Sequence, residues 1–246
     1  MTRRRWIADE VRGNTAVLTG EHASHLRRVL RAQLGQEFDI ATGDAVRRGT
    51  ITSISDHRVE FALGDEVAVR QSARLTLVLA IFKFDRMEWA IEKCTEIGVA
   101  GIVPIIARRT DTRLAAAAAK RHERWQRIAR QAAEQSRRAS PPEISAPIKL
   151  KELGGAGVPP ATTAETDVRV SRIVLAESEM NTPLRDVLSP CASETVLAIG
   201  PEGGWTDDEL RWFRESGWTT ASLGETILRA ETAAIVAAAL TLDALR

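Results

Sequence analysis

Apolar and polar residues alternate in short runs over the first seventy positions, then give way to longer, almost unbroken apolar runs. The alternating runs fall at Thr15–Leu18, Glu37–Ala41, Gly49–Ile54, Arg58–Leu63 and Glu66–Val69. Gly35, Gly43-Asp44, Asp56 and Gly64-Asp65 stand between them as turn residues. Period-two alternation marks strands with one buried face. Five of them at this spacing predict a small β-barrel. One helical stretch, Glu21–Ala32, interrupts the strands, with Leu26, Val29 and Leu30 on one face and Arg27, Arg28 and Arg31 elsewhere.

Gln71-Ser-Ala-Arg74 reads as a boundary, and the pattern changes there. Leu75–Phe82 is nearly all apolar, as in a parallel strand covered on both faces. Asp85 with Glu88 is a helix-start signature, and Gly98 closes the predicted helix Arg86–Ile97. Gly101–Ile106 is the next strand, which completes a βαβ unit. A long helix is predicted over Leu114–Arg138. It contains Ala115–Ala119, the residue type of highest helix propensity, and Pro141 stops it by disfavouring helical geometry at Ser140. Residues 151–170 read as an exposed loop without assigned function. Arg172–Glu177 predicts a buried strand and Pro183–Leu188 a short helix.

From Thr195 to Ala234 a strand–loop–helix pattern occurs twice in succession. Val196–Ile199 leads into Gly200-Pro-Glu-Gly-Gly204, where Thr206 and Glu209 form a capping box that starts a helix. Thr219–Leu223 leads into Gly224–Arg229 and an alanine-rich helix, Glu231–Leu245. Glycines let a backbone approach a ligand closely. Two such loops side by side would wall a small-molecule pocket at the carboxyl ends of parallel strands. A Gly-Gly pair before a helix is also an ordinary turn. The G-x-G-x-x-G and G-x-x-x-x-G-K-[ST] fingerprints are absent, which excludes a simple dinucleotide or ATP site. The final helix is apolar almost all round and must be buried on most sides. Its own core and a homodimer interface are both open.

At 246 residues and 44% hydrophobic content, the chain can build one large or two small domains. Cys94 and Cys191 make no disulfide framework, and His22, His25, His57 and His122 complete no zinc pattern with them. The basic start lacks the apolar run of a signal peptide, and no stretch is apolar enough to span a membrane. A soluble cytoplasmic protein is expected. Net charge is +1, but its distribution is uneven: +2 over residues 1–74, +6 over 75–138 and −7 over 139–246. Arg121, Arg124, Arg127 and Arg130, with Trp125 among them, form a basic stripe, either phosphate-facing or merely solvated. Lys83 lies at a strand's carboxyl end, where sites in α/β sheets lie. Glu92 and Glu96 share a helical face and are either solvated or positioning.

Ile199-Gly-Pro-Glu-Gly-Gly204, followed by Leu223-Gly-x-x-Ile-Leu-Arg-x-Glu-Thr-Ala233, resembles the signature of the RsmE family, SPOUT-class enzymes that methylate N3 of a uridine in 16S ribosomal RNA. Lys83-x-Asp-Arg-Met-Glu88, Glu92-Lys93-x-Thr-Glu96-x-Gly98, Gln131–Arg138 before Pro141-Pro142, and His25 with Arg28-Val-Leu-Arg31 are similar to family segments too. The resemblance runs from His25 to Ala233, with 151–170 as its departure. It implies a PUA-like RNA-binding barrel over 1–73 and an α/β SPOUT methyltransferase domain with a trefoil knot over 74–246. It implies S-adenosyl-L-methionine as cofactor, no metal, 16S RNA or the small ribosomal subunit as partner, and a homodimer.

Carried onto this chain, the cofactor residues would be Leu175, Ala176 and Glu177; Ile199, Gly200, Pro201, Gly203 and Gly204; and Leu223, Gly224, Ile227, Leu228 and Arg229. The RNA-binding residues would be His25, Arg28, Arg31 and Lys83, and Arg124, Arg127 and Arg130 of the basic stripe join them as candidate phosphate contacts on the ground of their charge and spacing. The uridine N3 proton must be lost, so a base or a cation facing the developing uridinate is needed. Arg138 and Arg229 are the candidates for stabilisation or phosphate placement, and Glu231 for positioning. A ribose 2′-O-methyltransferase of the same class and a non-catalytic RNA-binding protein of the same fold are the alternative readings.

Overall fold

Strand β1 (Arg5–Ile7) and strand β2 (Glu10–Arg12) are separated by only two residues, yet they lie at opposite edges of one sheet. The computed structural model describes residues 5–43, 45–67, 74–155, 170–189 and 192–245. The sheet runs β1-β4-β5-β6-β3-β2, with β3 Thr15–Thr19, β4 Glu37–Ala41, β5 Val46–Ile54 and β6 Arg58–Glu66. Ala8 donates its N–H to Ala41 O at 2.9 Å and Asp9 donates to Val17 O at 2.9 Å. Two residues of chain therefore bring both edges together, and the six strands curl into a barrel. Its core holds Leu18, Leu26, Ile40, Val59 and Phe61. The alternating pattern predicted four of these strands. Strands β1 and β2 are too short to show a period. The expected strand Glu66–Val69 is not present as such: Glu66 completes β6, and residues 68–69 lie outside the described residues.

The predicted helix Glu21–Ala32 is corrected. Helix α1 covers Gly20–Ser24, and one π turn over His25–Val29 follows. The wider turn breaks the 3.6-residue register, so Leu26 is buried while Val29 is exposed. Arg31 has φ 50.

Two compact units are present. The first comprises the described residues of 1–71 with Ala133–Pro141, and the second those of 72–132 and 142–246. In the first unit, His22 fastens the 133–141 segment: its Nε2 lies 3.0 Å from Glu134 Oε2 and its Nδ1 3.7 Å from Asp9 Oδ2. The two carboxylates, Asp9 first and Glu134 second, raise the His22 pKa to about 9 against burial.

The second unit is an all-parallel sheet, β10-β8-β7-β12-β11-β13, with β9 also on β8. Its strands are β7 Arg74–Ala80, β8 Gly101–Ile106, β9 Glu143–Ile144, β10 Ile148–Lys149, β11 Val170–Leu175, β12 Glu194–Ile199 and β13 Thr219–Ala221. Side chains alternate across the sheet. Leu75, Leu77 and Leu79 face one apolar layer, with Met87, Trp125 and Ala237. Val78 and Ala80 face the other, with Trp205, Phe213 and Trp218. The helices are α2 Phe84–Ile97, α3 Thr112–Ala117, α4 His122–Gln135, α5 Leu184–Val187, α6 Asp207–Glu215 and α7 Ala230–Ala244.

Four expectations change here. The N-cap of α2 is Lys83, and Asp85 lies in the first turn, where its charge suits the helix dipole. The long helix Leu114–Arg138 is broken by a 3-10 turn over Ala118–Arg121, after which His122 Nε2 meets Ile144 O at 2.9 Å. Tertiary contact outweighs the alanine propensity there. Helix α4 ends before Pro141 acts. Arg137 has φ 61 and Arg138 N–H reaches Ala133 O at 2.9 Å, a Schellman stop. Finally, the family resemblance favours the homodimer for the last helix, α7, with Ala234, Ala237 and Ala238 as its small-residue contact, but these alanines are fully buried in this chain's own core with α2 packed against the helix, so they are not a dimer contact. Most of the 151–170 loop lies outside the described residues, as does Cys191.

Candidate cofactor site

Parallel strands β12, β11 and β13 are neighbours, so their carboxyl ends open on one side of the sheet. The segments leaving them enclose a cavity of about 500 Å³, within the range of small-molecule sites. From β11 come Leu175, Ala176 and Glu177. From β12 come Ile199, Gly200, Pro201, Gly203 and Gly204. From β13 come Leu223, Gly224, Ile227, Leu228 and Arg229. All the residues marked for the cofactor in the sequence line this one cavity. Glu202, inside the first loop motif but not marked for the cofactor, lines it too, as do Arg86, Arg109, Ser178 and Met180, which lie outside both loop motifs.

The loop after β12 is tightly built. Gly204 N–H closes a turn onto Pro201 O at 2.8 Å, with Gly204 at φ 68, in the left-handed region that other residues avoid. A Cβ on Gly200 would sit 3.3 Å from the Trp205 ring. Trp205 Nε1 donates to Leu175 O at 2.9 Å, which ties the loop to the end of β11, and its ring packs on Phe213. Arg109, just after β8, donates from Nη1 to Gly203 O at 2.7 Å and Trp205 O at 3.1 Å. The capping box is present: Glu209 Oε2 accepts from Thr206 N and Thr206 Oγ1 accepts from Glu209 N. Glu209 Oε1 also accepts from Arg108 N at 2.7 Å.

The loop after β13 differs. Ser222 N–H donates to Thr182 O at 2.9 Å and Leu184 N–H donates to Ser222 O at 2.8 Å. Beyond Ser222, Leu223–Leu228 make no hydrogen bond among the described residues. Ile227 is 78% exposed at the cavity's edge.

The other marked residues are dispersed. Arg229 is exposed at the start of α7 and lines the cavity. Glu231 does not line it; its Oε1 lies 3.6 Å from Arg86 Nη1. Arg138 belongs to the first unit, where desolvation lowers its pKa to about 10. In that unit His25 packs beside Trp6, and Arg28 and Arg31 are exposed. In the second unit Lys83 and Arg127 are exposed, and Arg130 is half-buried. Arg124 is held by Glu88 through paired bonds of 2.7 and 2.8 Å. Arg121 lies 3.6 Å from the same carboxylate and stacks over Phe84. Among the described residues no group of three or more His, Cys, Asp or Glu is placed to hold a metal ion, and no helix is long and apolar enough to cross a membrane.

Residues 69–242 match the model of an RNA methyltransferase domain, and residues 18–63 that of an RNA methyltransferase PUA domain. Over 231 residues the chain is 34% identical to ribosomal RNA small subunit methyltransferase E of Synechocystis, covering 92% of this chain and 72% of that one. Its Bacillus subtilis counterpart is 28% identical, with 91% and 88% covered. A crystal structure of ribosomal RNA small subunit methyltransferase E from Neisseria gonorrhoeae, bound to S-adenosyl methionine, superposes with a TM-score of 0.80 at 29% identity, covering 97% of this chain and 96% of that one.

Proposed function

The chain belongs to the ribosomal RNA small subunit methyltransferase E family, and from that premise we propose that it methylates N3 of a uridine in small-subunit 16S RNA, using S-adenosyl-L-methionine. The observation that carries this reading is the cavity. It gathers all thirteen marked cofactor residues at the ends of three neighbouring parallel strands. Glycine is required in its wall, because Gly200 leaves room for the Trp205 ring and Gly204 takes a left-handed turn. When bound, the cofactor supplies an activated methyl group.

The protein's part is to hold, shield and neutralise. Backbone at Gly203 and Gly204 forms one wall, and Ile199 and Leu175 supply apolar surface. Loss of the N3 proton leaves negative charge on the uracil, and a fixed cation nearby lowers that cost. Arg229, exposed at the cavity, is the candidate for this role. Arg138 stays protonated at neutral pH despite its lowered pKa, and is assigned to phosphate placement. Glu231 is assigned a positioning role through Arg86.

We assign residues 1–73 to RNA binding through His25, Arg28 and Arg31, and 74–246 to the methyltransferase domain with Lys83, Arg124, Arg127 and Arg130 on its RNA face. Arg124 would have to exchange Glu88 for a phosphate. The family reading also carries a trefoil knot in the methyltransferase domain. A cytoplasmic homodimer completes the reading, with exposed Trp89 and Leu240 as interface candidates in place of the buried alanines.

The test is transfer of radiolabelled methyl to naked 16S RNA and to small subunits in parallel, followed by mapping of the label. Label on uridine N3 is expected. Label on a ribose 2′-oxygen would assign the other chemistry. Cofactor binding without any transfer would leave an RNA-binding protein.

A further inference from the structure

One guanidinium faces both loops of the cavity. Arg86, in the first turn of α2, places Nη1 3.5 Å from Glu202 Oε1 on the loop after β12. The same nitrogen lies 3.6 Å from Oε1 of Glu231, two residues beyond the loop after β13. The two carboxylates differ in setting. The Glu202 side chain is 43% exposed and lines the cavity beside Arg86. The Glu231 side chain is 7% exposed, and its Oε2 is enclosed without a hydrogen-bond partner among the described residues. A carboxylate shut away like this is costly unless an opposite charge faces it. Among the described residues, Arg86 is the cation within ion-pair distance of it.

We infer that Arg86 is a positioning residue for the methyl donor: anchored on the buried Glu231, it draws Glu202 and the Gly200–Thr206 loop towards the start of α7 and so fixes the spacing of the two cavity walls. This rests on the reading that the cavity takes S-adenosyl-L-methionine. Arg86 need not touch the reacting atoms. Its distances to the carboxylates exceed a normal hydrogen bond's optimum, so the link is chiefly one of charge. Losing it should widen the site and weaken donor binding while leaving the chemistry of an already bound donor nearly intact.

The experiment measures donor affinity by calorimetry, donor KM and kcat, and the melting midpoint. The proteins are wild type, Arg86→Met, Arg86→Lys, Glu231→Gln and the double variant Arg86→Met/Glu231→Gln. Arg86→Met should weaken donor binding by roughly tenfold or more and raise KM while kcat holds. Arg86→Lys should recover part of the affinity, because a cation is restored. In the double variant the stranded carboxylate is gone, so the melting midpoint should return to that of Glu231→Gln alone, but donor affinity should stay low. If the double variant regains wild-type affinity, or if Arg86→Met never loses it, Arg86 merely neutralises a buried charge and the inference is overturned. Failure of the wild-type protein to bind the donor is a separate result, visible without any variant. It would remove the cofactor reading, and this inference with it.

Discussion

The loop after β12 and the loop after β13 wall the same cavity, but they are held in opposite ways. The first is fixed from three directions: Trp205 on the end of β11, Arg109 on two of its carbonyls, and the capping box on α6. The second is pinned at Ser222 and then runs to Arg229 without a hydrogen bond over Leu223–Leu228 among the described residues. A fixed wall opposite a loosely held one is a physical arrangement for admitting a ligand and then closing on it, because the low-stability segment supplies the motion. The sequence concealed this difference, since both loops carry glycines and both precede helices.

Changes in the fixed wall should have the largest effects. Trp205→Ala removes a ring packed on Phe213 and leaves the Leu175 carbonyl without its donor. Urea unfolding should register a loss of about 3–5 kcal/mol. A loss similar to that of an exposed side chain would put the anchor elsewhere. Gly204→Val forces a β-branched residue to φ 68, at a cost of about 1–3 kcal/mol. Calorimetry should find donor binding sharply reduced in a protein whose circular dichroism is native. Undiminished affinity would mean that the loop is only a turn.

Away from both loops, His22 supplies a pH signature. Its pKa is raised from 6.5 to about 9 in the folded chain by Asp9 and Glu134. Its stabilising contribution is therefore complete below about pH 6.5 and is lost as pH rises through about 9. His22→Gln should flatten that part of the stability–pH curve and leave donor affinity unchanged. The smallest effect on stability belongs to the loose wall. Ile227→Ala, at an exposed side chain, should alter unfolding free energy by no more than about 0.5 kcal/mol yet weaken donor binding. An equal loss of both would contradict the contrast between the walls.

What could be read in the sequence was local. The Thr206–Glu209 capping box, the apolar runs of β7, β8 and β12 and the Gly98 helix stop depend on near neighbours, and they lie where the pattern put them. The paired glycine motifs located the cavity because strand ends of a parallel sheet share one side. What could not be read was tertiary. Arg86 and Glu231 are 145 positions apart, and nothing in either neighbourhood signals their pairing. Arg109 reaches the first glycine loop, the one after β12, from the end of a different strand. Strands β1 and β2 are three residues each, too short to display alternation. The alanines of α7 offered no polar face to orient the helix, so burial in the subunit and burial in a dimer looked alike.

The contrast between the two walls can be measured directly by hydrogen–deuterium exchange with and without S-adenosyl-L-methionine. The amides of Gly204 and Thr206, which donate to Pro201 O and to the Glu209 carboxylate, should be protected in the free protein and change little on binding. Those of Leu223–Arg229 should exchange rapidly in the free protein and slow markedly when the donor is present. Equal protection of both loops before binding, or no slowing at Leu223–Arg229 at saturating donor, would contradict the account of a fixed wall and a closing one.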